Sequence, residues 1–400
     1  MGSTPQRVVI VGGGIAGLEA LLALRALAGD RVELTLVSAQ EDFVYRPMAV
    51  AEPFALGHAR HTPLADVAKD TAATLKIARL EAVDPHAKTI RTSDGSVDYD
   101  ELVLAVGARA QPAYASATTW DDRSDAATLG GLLRDLEGGY SSSLAIVIPP
   151  GPGWPLPAYE LALLINGQAR SMGFDPTLTV VTPEHAPLSV FGPRAVEAIT
   201  GDLAAAGIAL ETDVSAELAP GHATIVRLRP GDRSIEVDRV FALPCLHGPA
   251  TAGIPSDAGG FVEVDEHCRV RGVPDVWAAG DGIAFPVKFG GLATQQADAA
   301  AEDIADLAGA INQRRPFRPV LRGRLLTGQT QRWMRYAATD GEGEGQTATH
   351  ALWWPPGKVD GRYLAPWLSA RDDAAITGRI PRSGGTPVQM DLERSFVASR

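Results

Sequence analysis

Cysteine is almost missing from this chain of 400 residues; Cys245 and Cys268 are the only two. They show neither C-x2-C nor C-x4-C spacing, so no zinc-ligand pair and no local redox disulfide is written in the sequence. Both are expected to be reduced, structural thiols. Lysine is scarce as well, with five residues, and the net charge is -12 without long acidic blocks. That balance argues against a nucleic-acid-binding surface. No apolar run reaches the roughly 18 to 20 residues of a membrane span. The start, MGSTPQRVVIV, passes into a strand without a charged and apolar leader, so a cytoplasmic protein is expected. What the chain does have is 45% hydrophobic residues. Its length exceeds what one core usually supports, so two or three domains are expected.

The first 115 or so residues alternate strand and helix signals. RVVIVGGG reads as strand and turn, IAGLEALLALRALAG as a helix and VELTLVSA as a second strand, which makes a βαβ unit. Leu80 to Arg109 reads as short strands turning at DPHAKT and SDGS before the buried strand ELVLAVG, a β-meander inserted in the α/β sheet. From about Trp120 the pattern restarts with SLAIVIPP, a helix, TLTVVTP and a helix around PRAVEAITGDLAAAG. A further helix is expected in LATQQADAAAEDIADLAGAIN. The expected fold is α/β, with two Rossmann-like dinucleotide-binding domains and a small C-terminal domain. The first would comprise 1–117 and 252–322, the second 118–251 and the third 323–400, ending in a loosely ordered tail after about Arg382.

VVIVGGGIAGLEA sets Gly12, Gly14 and Gly17 in a GxGxxG pattern after a strand and at the start of a helix. Gly12 permits the tight turn, Gly14 lets backbone approach a pyrophosphate and Gly17 lets helix and strand pack; the helix start offers free N–H groups to phosphate. An acidic residue usually ends the second strand and holds a ribose hydroxyl. Ser38 occupies that place here, with Glu41 three residues later. His58 and His61 in GHARH have no acidic or Cys partner to complete a metal set, so no metal site is expected. Trp353, Trp354, Tyr363 and Trp367 form an aromatic cluster that could line a quinone pocket or rest at a membrane interface. Core or dimer packing is the commoner fate, and no amphipathic helix with a basic face supports membrane contact.

Glu101–Arg109 (ELVLAVGAR) and Val273–Phe285 (VPDVWAAGDGIAF), after the first glycine loop, resemble the further FAD-binding segments of two-dinucleotide-domain flavoproteins of the pyridine nucleotide-disulfide oxidoreductase type. Phe43–Phe54 (FVYRPMAVAEPF) and Pro286–Ala305 look like the flavin-contacting segments of the branch with sulfide:quinone oxidoreductases and type II NADH dehydrogenases. The resemblance implies a glutathione reductase-like fold and a non-covalent FAD. It implies that Gly12, Gly14, Ile15, Ala16, Gly17, Ser38, Arg46, Pro47, Val83, Gly107, Gly280, Asp281, Lys288 and Leu292 hold that cofactor. Lys288 and Arg46 are candidates for stabilising the anionic reduced flavin, with solvated surface cations as the alternative. Gln295 and Gln296 fall where related quinone reductases place residues beside flavin and quinone, and Gln295 is taken with Lys288 and Arg46 as a candidate catalytic residue. Cys245 and Cys268 lie on segments that the family places away from the flavin's reactive face, so dithiol chemistry and sulfide oxidation are not expected.

In the family the second-domain loop reads GxGxxGxE. Setting Glu160 on that glutamate puts Gly153, Pro155 and Ala158 on the three glycines. Pro155 has no N–H to give a phosphate and fixes φ, while Trp154 and Pro157 fill and stiffen the turn. A nicotinamide dinucleotide is therefore expected to bind poorly, with Trp154 and Pro155 forming an apolar, substrate-side wall. The expected activity is FAD-dependent transfer of two electrons from a small donor to a quinone or other small acceptor. An NAD(P)H:quinone-type dehydrogenase and a non-catalytic flavin-binding partner protein remain as alternatives. Oligomeric state is open, a homodimer included.

Overall fold

The computed structural model describes residues 4–120, 125–219, 222–328, 330–337 and 344–379. The tail expected after Arg382 lies outside them. Seven α-helices occur among the described residues: α1 (Ile15–Ala28), α2 (Leu64–Asp70), α3 (Asp125–Glu137), α4 (Leu156–Ser171), α5 (Pro193–Ala206), α6 (Gly290–Leu307) and α7 (Leu364–Arg379). None of the described helices is long and apolar enough to cross a membrane.

The chain folds around two parallel sheets. In the first, the strand order is Val276–Ala278, Glu101–Leu104, Gln6–Val11, Val32–Ser38, Thr74–Ile77. Its central strands read as continuous apolar runs because both faces are covered. α1 lies against α6, and the buried alanines Ala16, Ala20 and Ala23 of one and Ala293, Ala297 and Ala300 of the other let the two backbones approach closely. The second sheet has the order Thr118–Thr119, Arg239–Ala242, Ser143–Val147, Thr177–Val181, Ala209–Glu211, again all parallel. This is the expected α/β architecture with two Rossmann-type sheets. The expected meander is an antiparallel sheet of Leu80–Asp84, Thr89–Thr92 and Gly95–Asp98.

Val320–Leu325, Arg332–Ala337 and Glu344–Ala348 form a third, antiparallel sheet. The domain break expected at residue 322 falls inside its first strand, whose pairing with Arg332–Ala337 continues through Leu325. Alternate residues of that strand point two ways. Leu321 and Leu325 enter the core shared with Leu156, Leu161 and Phe191, while Arg322 and Arg324 face the other side, half-buried. α7 packs on the first unit through Leu364 and Leu368. The C-terminal residues therefore touch both parallel sheets' helices.

A buried carboxyl pair ties α1, α6 and the start of α7 together. Glu19 accepts the backbone N–H groups of Tyr363 (2.8 Å) and Leu364 (2.7 Å), two of the donors exposed at a helix start. Asp298 of α6 hydrogen-bonds Glu19. Burial pushes Glu19 up to about 7, and burial plus the charge of Glu19 push Asp298 up to about 8. The folded protein thus holds protons that the unfolded chain releases from about pH 4, so this contribution to stability falls as pH rises towards 8. Asp298→Asn is expected to flatten that decline and to raise the urea midpoint at pH 8 more than at pH 5, as read from unfolding curves across pH.

Candidate functional site

The first glycine loop has three jobs, and each glycine does one. Gly12 takes φ +121°, and a Cβ there would come within 2.1 Å of the Ala105 carbonyl oxygen. A Cβ on Gly17 would sit 1.8 Å from the Gly12 oxygen, so helix and loop touch only because Gly17 has none. Around Gly14 a Cβ would meet no protein atom within 4 Å, because that face opens on a cavity. The cavity has a volume of about 670 Å³ and is lined by Gly12 to Ala16, Ser38, Arg46, Gly107, Gly280 and Asp281 among others. The first-turn N–H groups of α1 have no intrahelical acceptor and stand at this wall. The donor-rich loop, the bare Gly14 and the helix start fit a dinucleotide pyrophosphate. Ser38 is present, but its hydroxyl donates to the Gln40 carbonyl (2.8 Å) and accepts the Gln40 N–H (3.1 Å), a local turn that engages it.

A second cavity of about 540 Å³ adjoins the first, and Ile15, Arg46, Ala110, Leu246, Asp281 and Gly290 line both. The proline-rich loop forms its wall. Trp154 stacks on Phe289 at 4.4 Å and 13° and meets Phe191 edge-on at 5.7 Å. Gly153 donates to the Pro286 carbonyl (3.1 Å) and accepts the Lys288 N–H (3.0 Å), so the loop is joined to the segment that leads into α6. Across residues 151–158, Pro152, Pro155 and Pro157 carry no N–H, and those of Gly153 and Ala158 already donate to carbonyls. Five of the eight positions therefore have no free donor for a phosphate.

Behind this loop Glu160 of α4 is fully buried and paired with Lys358, whose Nζ lies 2.6 Å from both carboxylate oxygens. The Leu326 N–H adds a third donor at 2.9 Å. Burial pushes Glu160 up and Lys358 down, while their mutual attraction opposes both shifts. Neither Lys358 nor the nearby Arg322 and Arg324 was among the residues singled out from sequence, and all three line the second cavity. The signal available was a lysine, one of five, in a segment the resemblance did not reach.

Of the candidate catalytic residues, Arg46 lines both cavities and Lys288 the second. Lys288 is buried, donates to the Ile283 carbonyl and lies 3.8 Å over the Phe261 ring. Burial pulls it down to about 8, partly offset by Asp281 and Asp257. Gln295 is not at either cavity. Its amide donates to the Gly291 and Val320 carbonyls and accepts the Val320 N–H, fastening α6 to the C-terminal sheet. Gln296 is buried and accepts the Gly280 N–H at 2.8 Å. Pro47, Trp154 and Pro155 line the second cavity. Val83 and Leu292 line neither; Val83 packs in the meander core and Leu292 in the core beneath α6, where apolar burial accounts for both. Cys268 is buried, whereas Cys245 lines the second cavity, where burial pushes its thiol up. The C-terminal aromatic cluster lines neither cavity: Trp353 packs edge-on against Trp333, and Trp354 is 81% exposed.

A family model described as "Pyridine nucleotide-disulphide oxidoreductase" matches residues 6–303. The chain belongs to that family. A Mycobacterium tuberculosis NADH dehydrogenase-like protein is 32% identical over 297 residues, covering 69% of this chain and 72% of the relative. An Arabidopsis thaliana alternative NAD(P)H-ubiquinone oxidoreductase is 26% identical over 380 residues, covering 80% and 71%. The solved sulfide:quinone oxidoreductase of Aquifex aeolicus superposes with a TM-score of 0.77 over 99% of this chain and 96% of its own, at 17% identity, which is a likeness of fold. Family membership establishes an oxidoreductase of this class.

Three outcomes follow from the first glycine loop and the buried pair. Gly14→Val places its side chain in the cavity and is expected to give a folded protein that purifies without flavin absorbance, whereas Gly17→Val is expected to lower the melting temperature of the apoprotein itself. Lys358→Met strands a buried carboxylate and is expected to cost about 3–5 kcal/mol in urea unfolding, most of it regained in Glu160→Gln/Lys358→Met.

Proposed function

We propose that this chain is an FAD-dependent oxidoreductase that takes electrons from a small molecule in the second cavity rather than from NAD(P)H. The observation that carries the reading is the contrast between its two glycine loops. The first keeps all three glycine roles and an open wall at Gly14, so it suits the FAD pyrophosphate. In the second, three prolines and two internal hydrogen bonds leave five of eight positions without a free donor, and the glutamate behind it is taken by Lys358.

FAD, held without a covalent bond, supplies two-electron chemistry, and a quinone or another small acceptor would reoxidise it. Arg46, where the cavities meet, and Lys288, in the second, would hold positive charge, favouring the anionic reduced cofactor. Trp154, Phe289 and the prolines would exclude water from the donor. Gln295 has no part in this account, because its amide is committed elsewhere. The resemblance to an NADH dehydrogenase-like protein and to an NAD(P)H-ubiquinone oxidoreductase favours the second reading, an NAD(P)H dehydrogenase.

Anaerobic mixing of the flavin-loaded protein with NADH, NADPH, sulfide and a reduced quinone, followed by flavin absorbance, separates the readings. The expectation is that neither nicotinamide nucleotide bleaches the flavin within seconds. Rapid bleaching by NADH overturns the proposal, and bleaching by no donor at all favours a non-catalytic flavoprotein.

A further inference from the structure

The turn from Ala279 to Ile283 brings Asp281 to the wall of both cavities. The Ala279 N–H still belongs to the first sheet and donates to the Leu104 carbonyl at 3.0 Å. Gly280, the next residue, has φ +84° and a buried N–H. That N–H donates to the Gln296 side-chain oxygen at 2.8 Å, and the Gly280 carbonyl accepts the Ile283 N–H at 3.2 Å. Both polar groups of Gly280 are therefore engaged, which fixes its two torsions and the direction in which the chain enters Asp281. Packing alone does not set that direction. A Cβ on Gly280 would lie 3.1 Å from the Ala16 Cβ and 3.7 Å from the Ala293 Cβ, so methyl groups of α1 and α6 limit how deep the turn sits. Apolar contact is non-directional, whereas a hydrogen bond weakens steeply as it bends.

Gln296 is a costly residue where it lies. It is 2% exposed, and the helix positions three and four away, Leu292, Ala293, Ala299 and Ala300, are all buried and apolar. An amide in such surroundings needs a hydrogen bond to offset its lost hydration, and the Gly280 N–H supplies one. The adjacent Gln295 is committed to the Gly291 and Val320 backbone, so it cannot take over this contact. We propose that Gln296 is a positioning residue for the cofactor: through the Gly280 N–H it sets the turn that offers Asp281 to the flavin nucleotide. This rests on the cofactor reading above and adds a residue that lines neither cavity. Without the Gln296 oxygen the Gly280 N–H is left buried and unpaired. The peptide then regains a partner only by rotating, and Asp281 moves with it.

The test is a titration of the full chain, stripped of flavin, with FAD, the Kd being read from flavin fluorescence. Gln296→Met keeps the length of the side chain and removes the acceptor; it is expected to raise the Kd about tenfold or more. In an Asp281→Ala background the same change is expected to cost about twofold or less, because the two residues act on one contact. The melting temperature of each flavin-free variant is measured alongside. Gln296→Asn, whose amide falls one methylene short, is the second variant should the first not fold, and the same dependence on Asp281 is expected of it. A lower melting temperature with an unchanged Kd means packing alone and overturns the inference, as does an equal loss of affinity in the Asp281→Ala background. Failure of the wild type to bind FAD overturns the cofactor reading and this inference together, whereas binding by the wild type that does not depend on Gln296 overturns this inference alone.

Discussion

The ion pair between Glu160 and Lys358 constrains more of this molecule than any other contact. Two charges removed from water lose several kcal/mol of hydration each, and close pairing returns that only when geometry and further donors cooperate. Here both carboxylate oxygens face the ammonium and a backbone N–H completes one of them. Holding Lys358 at that depth requires the segment before α7 to lie against α4. The C-terminal sheet, through the Leu326 N–H, is fixed to the same carboxylate. Arg322 and Arg324 reach the cavity because their strand is held there.

The Gly153 bridge completes the arrangement from the other side. Its two backbone hydrogen bonds join the proline loop to the segment carrying Lys288 and leading into α6. Trp154 then falls onto Phe289, and the stack closes the wall between loop and helix. Loop, α6 and C-terminal strand therefore enclose one space beside the Gly14 cavity. The core follows the same path, since Phe289 and Leu292 of the first unit pack with residues of α4 and the second sheet.

Much of this was legible in the sequence, for reasons of unequal strength. GxGxxG after VVIV could be read because each glycine answers a steric demand within a few residues, and the parallel strands because apolar runs such as VVIV are buried on both faces. The shortage of donors in the second loop was equally plain, since proline's missing N–H is a property of the residue itself. Val83, Leu292 and Gln295 were assigned by resemblance, and the structure gives them packing or fastening work instead. The Glu160–Lys358 pair was not legible, because it joins residues 198 positions apart. No local period or spacing encodes such a contact.

The loop and the buried pair constrain each other's replacement. Replacing the prolines by glycines would restore donors to the turn yet leave Glu160 held by Lys358, and removing Lys358 alone would strand a carboxylate inside the protein. A change at the loop alone leaves the pair in place, and a change at the pair alone leaves a buried charge unmatched.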